Sequence, residues 1–403
     1  MLHVTLFYSW QMDRPTNVCR DFIRKALEEA AAILDAGAEI ALTIDSDTQG
    51  EPGTPPTTDT ILKKIRACDI FLADMTFVAQ AGEKLIPNPN VMGEYGYALR
   101  AKGTRRILLV MNEAYGPPDE LPFDLHHLRH PEGYSIAEDV TDGSRRTARK
   151  ELGRRLADYI EVIAKEVAAE AAQTQSYRQK AMSDAWWNAV QQRQINDRPA
   201  LVSSPSVLVH LVPAGSLTAG DLDPRAMKPF RTLLKIDDHA EATTGTDGNH
   251  WWAHGAKRSV SSGHNPEADW YGRLIQPGSV EWEVNIGERI HDDPTIVVKG
   301  KHLEWLIVNA ADRSLELVAG LGLAGPSLIG VVLYGLEDVE LSGPYKTRRL
   351  SKASVVLPVS IVPAGIVKSG DHLRQAFDRL WMAAGFEDGS PSYRDGRWAG
   401  YGG

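Results

Sequence analysis

The feature that most constrains this chain is a regular alternation of short apolar runs and amphipathic stretches of helical period over its first 112 residues. His3 to Ser9 is a nearly continuous apolar run, as expected of a strand buried on both faces. Val18 to Leu34 has helical spacing and ends at Gly37; Ala38 to Ile44 is a second strand pattern. Asp45 to Gly53 is a loop dense in turn residues, after which Thr57 or Thr58 can cap a helix through Ile61, Leu62 and Ile65. Asp69 to Met75 is a third strand pattern, followed by a helix that reaches Ala101 and stops at Gly103. Arg106 to Met111 supplies a fourth strand. Strands and helices alternating over short connections predict a parallel sheet with helices on both faces.

In such sheets ligands bind beyond the carboxyl ends of the strands. The segments placed there are Tyr8-Ser9-Trp10, Asp45 to Gly53, Asp74-Met75-Thr76 and Asn88 to Glu94. They offer carboxylates, hydroxyls, an indole and glycines, and contain no Lys or Arg. The Gly-rich turn ending in Lys that cradles a triphosphate is missing, as are the spaced glycines of a dinucleotide fold after the first strand. The acidic pair of a phosphoacceptor domain is also missing, since Ser9-Trp10-Gln11 stands there. This loop chemistry suits a ribose and a stacked base.

The richest of these segments runs from Pro87 to Arg100. Its Asn-Pro steps disfavour helix before them, and Asn90 is available as a cap for the helix after them. Val91, Tyr95, Ala98 and Leu99 form an apolar stripe, while Asn90 and Glu94 share a neighbouring face with Tyr97. With Asn90 as cap, Glu94 lies in or beside the first turn, where the helix dipole favours an ionised carboxylate. Read from these residues alone, Glu94 is either a ligand-facing carboxylate or a surface residue that complements the dipole.

Leu6-Phe7-Tyr8-Ser9-Trp10, Asp45 to Gly53, Asp69 to Asp74, and Asn90-Val91-Met92-Gly93-Glu94-Tyr95-Gly96-Tyr97-Ala98 together resemble a known family. They look like the Toll/interleukin-receptor (TIR) domains of bacterial immune effectors and the related nucleoside deoxyribosyltransferases. The resemblance covers residues 1 to 135. It implies a flavodoxin-like parallel sheet, with Glu94 as catalytic residue and Asp74, at the end of the third strand, as its catalytic partner. Where the transferases often carry a second Asp before the Glu, this chain has Asn88 and Asn90. The implied reaction is cleavage of the N-glycosidic bond between ribose and nicotinamide of NAD, which is substrate here and not cofactor; no metal is implied. A fixed carboxylate beside the anomeric carbon stabilises an oxocarbenium-like transition state. Ser9, Asn90 and Asp74 would orient ribose hydroxyls, and Trp10 or Tyr8 would stack on a base. Asp47, Gly50 and Tyr97 complete the substrate-binding set. Each has a plainer alternative: Asp74 as a turn cap, Ser9 satisfying strand-end backbone, Trp10 in the core. An anti-phage NAD hydrolase released by a trigger is the function implied. A deoxyribosyltransferase-like enzyme and a non-catalytic nucleotide-binding scaffold are the alternatives.

At 403 residues the chain exceeds one ordinary core, so more than one domain is expected. The formal net charge of −9 argues against a general nucleic-acid coat protein. No apolar run is long enough to span a bilayer, and the chain starts directly on a strand pattern, so a cytoplasmic protein is expected. Cys19 and Cys68 sit in apolar patterns and read as small buried residues. His126, His127 and His130 cluster on an irregular stretch and read as solvated or packing residues, not metal ligands. Thr141 to about Gln192 is one long helical pattern that opens on Arg145, Arg146, Arg149, Lys150, Arg154 and Arg155. That block is a solvated face or a phosphate-binding one. A helix of this kind can also pair with its copy, so self-association is expected, with a neighbour's Arg145 to Arg155 helping to hold the NAD pyrophosphate. Arg198-Pro199 and Ser203 to Pro205 mark a second boundary, giving domains 1–140, 141–197 and 198–403. The last domain reads as α+β. Its strands are Val207 to Val212, Thr295 to Val298 and Ser327 to Tyr334; its helices are Lys301 to Ala319 and Ser369 to Ala384. Thr243 to Gly263 reads as a hairpin or exposed loop around Trp251-Trp252. The ending, Phe377 to Trp398, resembles a module found after Schlafen-type AlbA domains, which suits sensing of an unknown trigger or partner.

Overall fold

The computed structural model describes residues 1–46, 57–122, 131–191, 205–223, 225–236, 241–246, 250–255, 268–289 and 295–400. The chain divides into two compact units, Met1–Thr174 and Gln175–Gly403.

In the first unit, β1 (Leu2–Ser9) pairs in parallel with β2 (Ile40–Asp45) on one side and β3 (Ile70–Asp74) on the other. Between β3 and the helix that follows it, the chain makes a short hairpin of β4 (Phe77–Ala81) and β5 (Lys84–Pro87). β6 (Ile107–Asn112) and β7 (Glu132–Tyr134) extend the sheet beyond β3, again in parallel, giving the order β2-β1-β3-β6-β7. This is the flavodoxin-like doubly wound topology, whose winding reverses between β1 and β3.

Alternation along the strands sorts the core into two layers. Leu6, Tyr8, Ile70 and Leu72 face α1 (Arg20–Ala36) and the first part of α4 (Asp142–Gln191), which contributes Leu152, Leu156 and Ile160. Phe7, Phe71 and Ala73 face α2 (Thr57–Ala67) and α3 (Pro89–Lys102), meeting Ile65, Val91, Tyr95 and Ala98. α1 and α4 approach closely at Gly153: a Cβ there would stand 2.9 Å from the Ala26 carbonyl oxygen and from the Glu29 Cβ. The long helical pattern forms α4, whose first part is built into the core of the first unit.

The second unit holds an eight-stranded sheet among its described residues. Its strands are β8 (Ser206–Pro213), β9 (Ala242–Thr246), β10 (His250–Gly255), β11 (Trp270–Ile275), β12 (Ser279–Asn285), β15 (Ser327–Tyr334), β18 (Ser354–Val356) and β19 (Ser360–Val362). A smaller sheet comprises β13 (Glu288–Arg289), β14 (Ile296–Lys299), β16 (Val339–Ser342) and β17 (Thr347–Arg349). α5 (Gly300–Gly320) and α6 (Arg374–Ala383) share the large core with Trp282, Val331 and Phe377. On the opposite face Met182 and Trp186, from the end of α4, cover Leu208, Val212, Leu328 and Val332. The buried Glu304 carboxylate accepts from Trp381 Nε1 at 2.7 Å and Ser390 Oγ at 2.5 Å, and also from Ser392. These three donors tie the C-terminal segment to α5 and offset the desolvation that raises the carboxyl above its ordinary range. Within Thr243 to Gly263, β9 and β10 pair antiparallel with Trp251 buried; 247–249 and 256–263 lie outside the described residues. No helix among the described residues is long and apolar enough to cross a membrane.

Candidate active site

β1 and β3 end side by side at the point where the winding reverses, with Ser9 opposite Ala73 in the register and Asp74 one residue further on. α3 passes over these ends and brings Glu94 to Ser9: the Ser9 hydroxyl donates to Glu94 Oε2 at 2.6 Å. The cap of α3 differs from the expected one. Asn88, not Asn90, caps the helix, its Oδ1 accepting from the Asn90 and Val91 amides at 2.9 and 3.1 Å, with Pro89 in the first position. Glu94 is therefore the sixth residue of the helix, and the dipole's influence, concentrated in the first turn, contributes little to it. Burial is the larger influence and pushes the Glu94 carboxyl above its ordinary range; the Ser9 hydroxyl pulls it part of the way back.

Glu94 is flanked by exposed glycines. A Cβ at Gly93 or Gly96 would meet nothing within 4 Å among the described residues. Neither glycine is required by packing, and each weakens a helix interior by about 0.5–1 kcal/mol relative to Ala.

Asp74 occupies the end of β3 and is fully buried. Its Oδ1 accepts from the Thr76 amide at 3.0 Å and the Thr76 hydroxyl at 2.5 Å, and its Oδ2 from Gln11 Nε2 at 3.3 Å. Burial raises its carboxyl. Both oxygens thus face the protein, and Asp74 holds the turn after β3 against the loop after β1. The Thr76 hydroxyl also accepts from the Asn112 amide at 3.0 Å, which extends this framework to the end of β6.

The remaining residues separate into core and rim. Tyr8 is buried beneath α1 and its hydroxyl donates to the Arg20 carbonyl at 3.3 Å. Trp10 is half-buried, with the Arg20 guanidinium 3.9 Å above its ring. Asn90 is exposed, and Tyr97 is half-buried on the α3 side of the sheet. Asp47 and Gly50 lie outside the described residues.

Several residues not anticipated from the sequence shape this rim. Gln11 reaches Asp74, and Gln11 Oε1 accepts from the Arg14 amide at 2.9 Å. Asn88 Nδ2 donates to Asp13 at 2.6 Å, fastening the loop after β1 to the start of α3. Arg14 Nε donates to the Phe77 carbonyl at 2.8 Å, and its guanidinium lies 4.3 Å from the Tyr115 ring centroid. Although the strand-end segments carry no cation themselves, the fold brings Arg14 and Arg20 to the same loop. The basic block of α4 is largely engaged within its own unit. Arg149 pairs with Glu29 at 3.1 Å, Arg155 with Glu132 at 3.2 Å, and Arg145 with Asp142 at 2.7 Å.

Cys19 and Cys68 are buried, and burial pushes the Cys19 thiol up to about 12, which makes it a poor nucleophile at neutral pH. Among the described residues no group of three or more His, Cys, Asp or Glu side chains is placed to hold a metal; His126, His127 and His130 lie outside them.

The fold and site define a doubly wound α/β domain with two hydroxyl-bonded carboxylates at its switch point, Asp74 buried and Glu94 half-buried. No protein-family profile matches the sequence, and no curated protein is significantly similar to it. Among solved structures the chain is similar to the flavodoxin-like domain of a Synechococcus protein, at 10% identity and a TM-score of 0.25, over 39% of this chain and 98% of that one. A likeness that remote carries no argument about chemistry.

Proposed function

We propose that the first unit is an N-glycosidase that cleaves the bond between ribose and nicotinamide in NAD, with Glu94 as its catalytic carboxylate. The observation that carries this reading is the half-buried Glu94 carboxylate, held by Ser9 at 2.6 Å at the switch point and bordered by two glycines that packing does not require. In the reaction the bond from C1′ to the pyridinium nitrogen breaks, its electron pair neutralises the ring, and nicotinamide leaves uncharged. Glu94 stabilises the positive charge that develops on the ribose or captures C1′ covalently. Water then adds at C1′ and releases a proton. Because the leaving ring is already cationic, no strong general acid is needed. Asp74, buried and saturated with donors, acts here as a positioning residue that holds the Gln11 loop and the β3 turn.

The biological reading that follows is a trigger-dependent anti-phage effector working in the cytoplasm, whose second unit senses the trigger and promotes self-association. Incubating concentrated full-length protein with NAD, NADP and nucleosides, followed by liquid chromatography, tests the reaction class. Free nicotinamide supports the proposal. Release of a base from nucleosides alone would move the protein to the transferase class, and no cleavage by the assembled protein would leave a binding scaffold.

A further inference from the structure

A second charged site lies within the first unit, along the seam between α1 and α4. Lys25 of α1 and Arg145, Arg146 and Arg149 of α4 line a cavity of about 250 Å³ that also includes Asp21 and Asp142. Four cations face two carboxylates in the wall, and Glu29, paired with Arg149 at 3.1 Å, brings the formal surplus to one positive charge. The internal pairings do not exhaust the donors: after Arg145 binds Asp142 and the Val140 carbonyl, and Arg149 binds Glu29, the Nε atoms of both remain buried without an acceptor among the described residues. Those two Nε atoms are closed to solvent, so the donors open to an occupant carrying several acceptor oxygens are the exposed Lys25 and Arg146. Lys25 and Arg146 are exposed and have no ion pair among the described residues. The one aromatic residue in the wall, Phe22, stacks on Tyr134 with ring centroids 4.6 Å apart and is itself buried, so it offers no platform for a base.

We propose that this cavity binds a pyrophosphate-type anion, free or as the diphosphate of a nucleotide, at a site separate from the Ser9–Glu94 pair. Guanidinium forks match phosphate oxygens in a bidentate manner, and a multiply charged anion complements the unpaired Lys25 and Arg146. The anion bridges α1 to the start of α4 and tightens the seam already closed at Gly153.

Calorimetric titration of the full-length protein with inorganic pyrophosphate, and separately with ADP, tests this. Lys25→Ala/Arg146→Ala removes two exposed cations, and its unliganded thermal midpoint should match that of the wild type. Lys150→Ala, exposed on the same helix but outside the cavity wall, serves as control. The expected result is saturable one-site binding that weakens at least tenfold in the double variant, holds in Lys150→Ala and falls with added salt. ADP binding with the affinity of pyrophosphate assigns recognition to the phosphates; ADP binding more than tenfold tighter would overturn that assignment. Absence of saturable binding at millimolar pyrophosphate, no loss in the double variant, or an equal loss in Lys150→Ala would overturn the site. The same titration of Glu94→Gln should be unchanged, so this site stands or falls independently of the glycosidase reading.

Discussion

Replacing Ser9 with Ala isolates the interaction that sets the state of the candidate catalytic carboxylate. The Ser9 hydroxyl donates to Glu94 at 2.6 Å from a position that is only 1% exposed, so it is a short bond to a charged acceptor in a partly dry setting. Hydrogen bonds to charged groups contribute about 1.5–3 kcal/mol, and 1.36 kcal/mol corresponds to one pKa unit. Burial already holds Glu94 above 4.5, and Ser9 is the opposing influence. Its loss should therefore raise the Glu94 midpoint further. Water entering the vacated space would lessen the shift without reversing it. The direct assay is a carbon-detected NMR titration of the Glu94 side-chain carboxyl in wild type and Ser9→Ala, with the signal assigned by its disappearance in Glu94→Gln. If Glu94 must be ionised to act, the acid limb of kcat/KM shifts upward by the same amount. A Glu94 midpoint that stays put or falls in Ser9→Ala would refute the reasoning.

The raised Glu94 carboxyl also has a stability consequence. Its favourable protonation in the folded state is fully felt below the unfolded value near 4.5 and is lost as pH rises through the folded value. Glu94→Gln should therefore be at least as stable as wild type at pH 7 and lose that relative advantage toward pH 4, as read by thermal unfolding at both pH values; the opposite trend would contradict the burial argument. Gly96→Ala should stabilise α3 by about 0.5–1 kcal/mol, because the new methyl group meets no described atom within 4 Å, and should leave NAD turnover unchanged, since positions two apart on a helix do not face each other; a lowered thermal midpoint would contradict the open placement. Gly153→Ala should destabilise the first unit by about 1–3 kcal/mol, because its Cβ meets the Ala26 carbonyl oxygen and the Glu29 Cβ at 2.9 Å. Calorimetry that shows no lowered transition would deny the close α1–α4 contact.

The parallel sheet was legible because each strand buried on both faces is a continuous apolar run, and each covering helix has its own stripe. The start of the long helix was legible, expected at Thr141 and found at Asp142, and its described part runs to Gln191. The β4–β5 hairpin was not read, because Val78 to Glu83 carries little apolar pattern and only Gly82, at φ 64°, signals the turn. β7 was missed because three residues are too few to show a period. In the second unit, β11 and β12 were missed although Gln276-Pro277-Gly278 punctuates them. Glu281 and Glu283 alternate with Val280, Trp282 and Val284 along a strand whose polar face is also buried. At the site, the Ser9–Glu94 pairing follows from topology, which places the end of β1 beneath α3. Choosing between Asn88 and Asn90 as cap requires backbone geometry: Pro89 suits the first helical turn, and that choice moves Glu94 out of the dipole's reach. The burial of Asp74 follows from Gln11 and Thr76 closing over it, contacts that no local pattern encodes.

The central claim is that the Glu94 carboxylate breaks a glycosidic bond, and one comparison tests it most directly. Nicotinamide release from NAD is followed by chromatography for wild-type and Glu94→Gln full-length protein, at matched high concentration and pH 7. The variant keeps the size and hydrogen-bonding capacity of the side chain but removes its charge. The expected result is measurable release by wild type and a fall of roughly 10²–10³ in the variant, about 3–4 kcal/mol of barrier. Release by Glu94→Gln at the wild-type rate would contradict the claim.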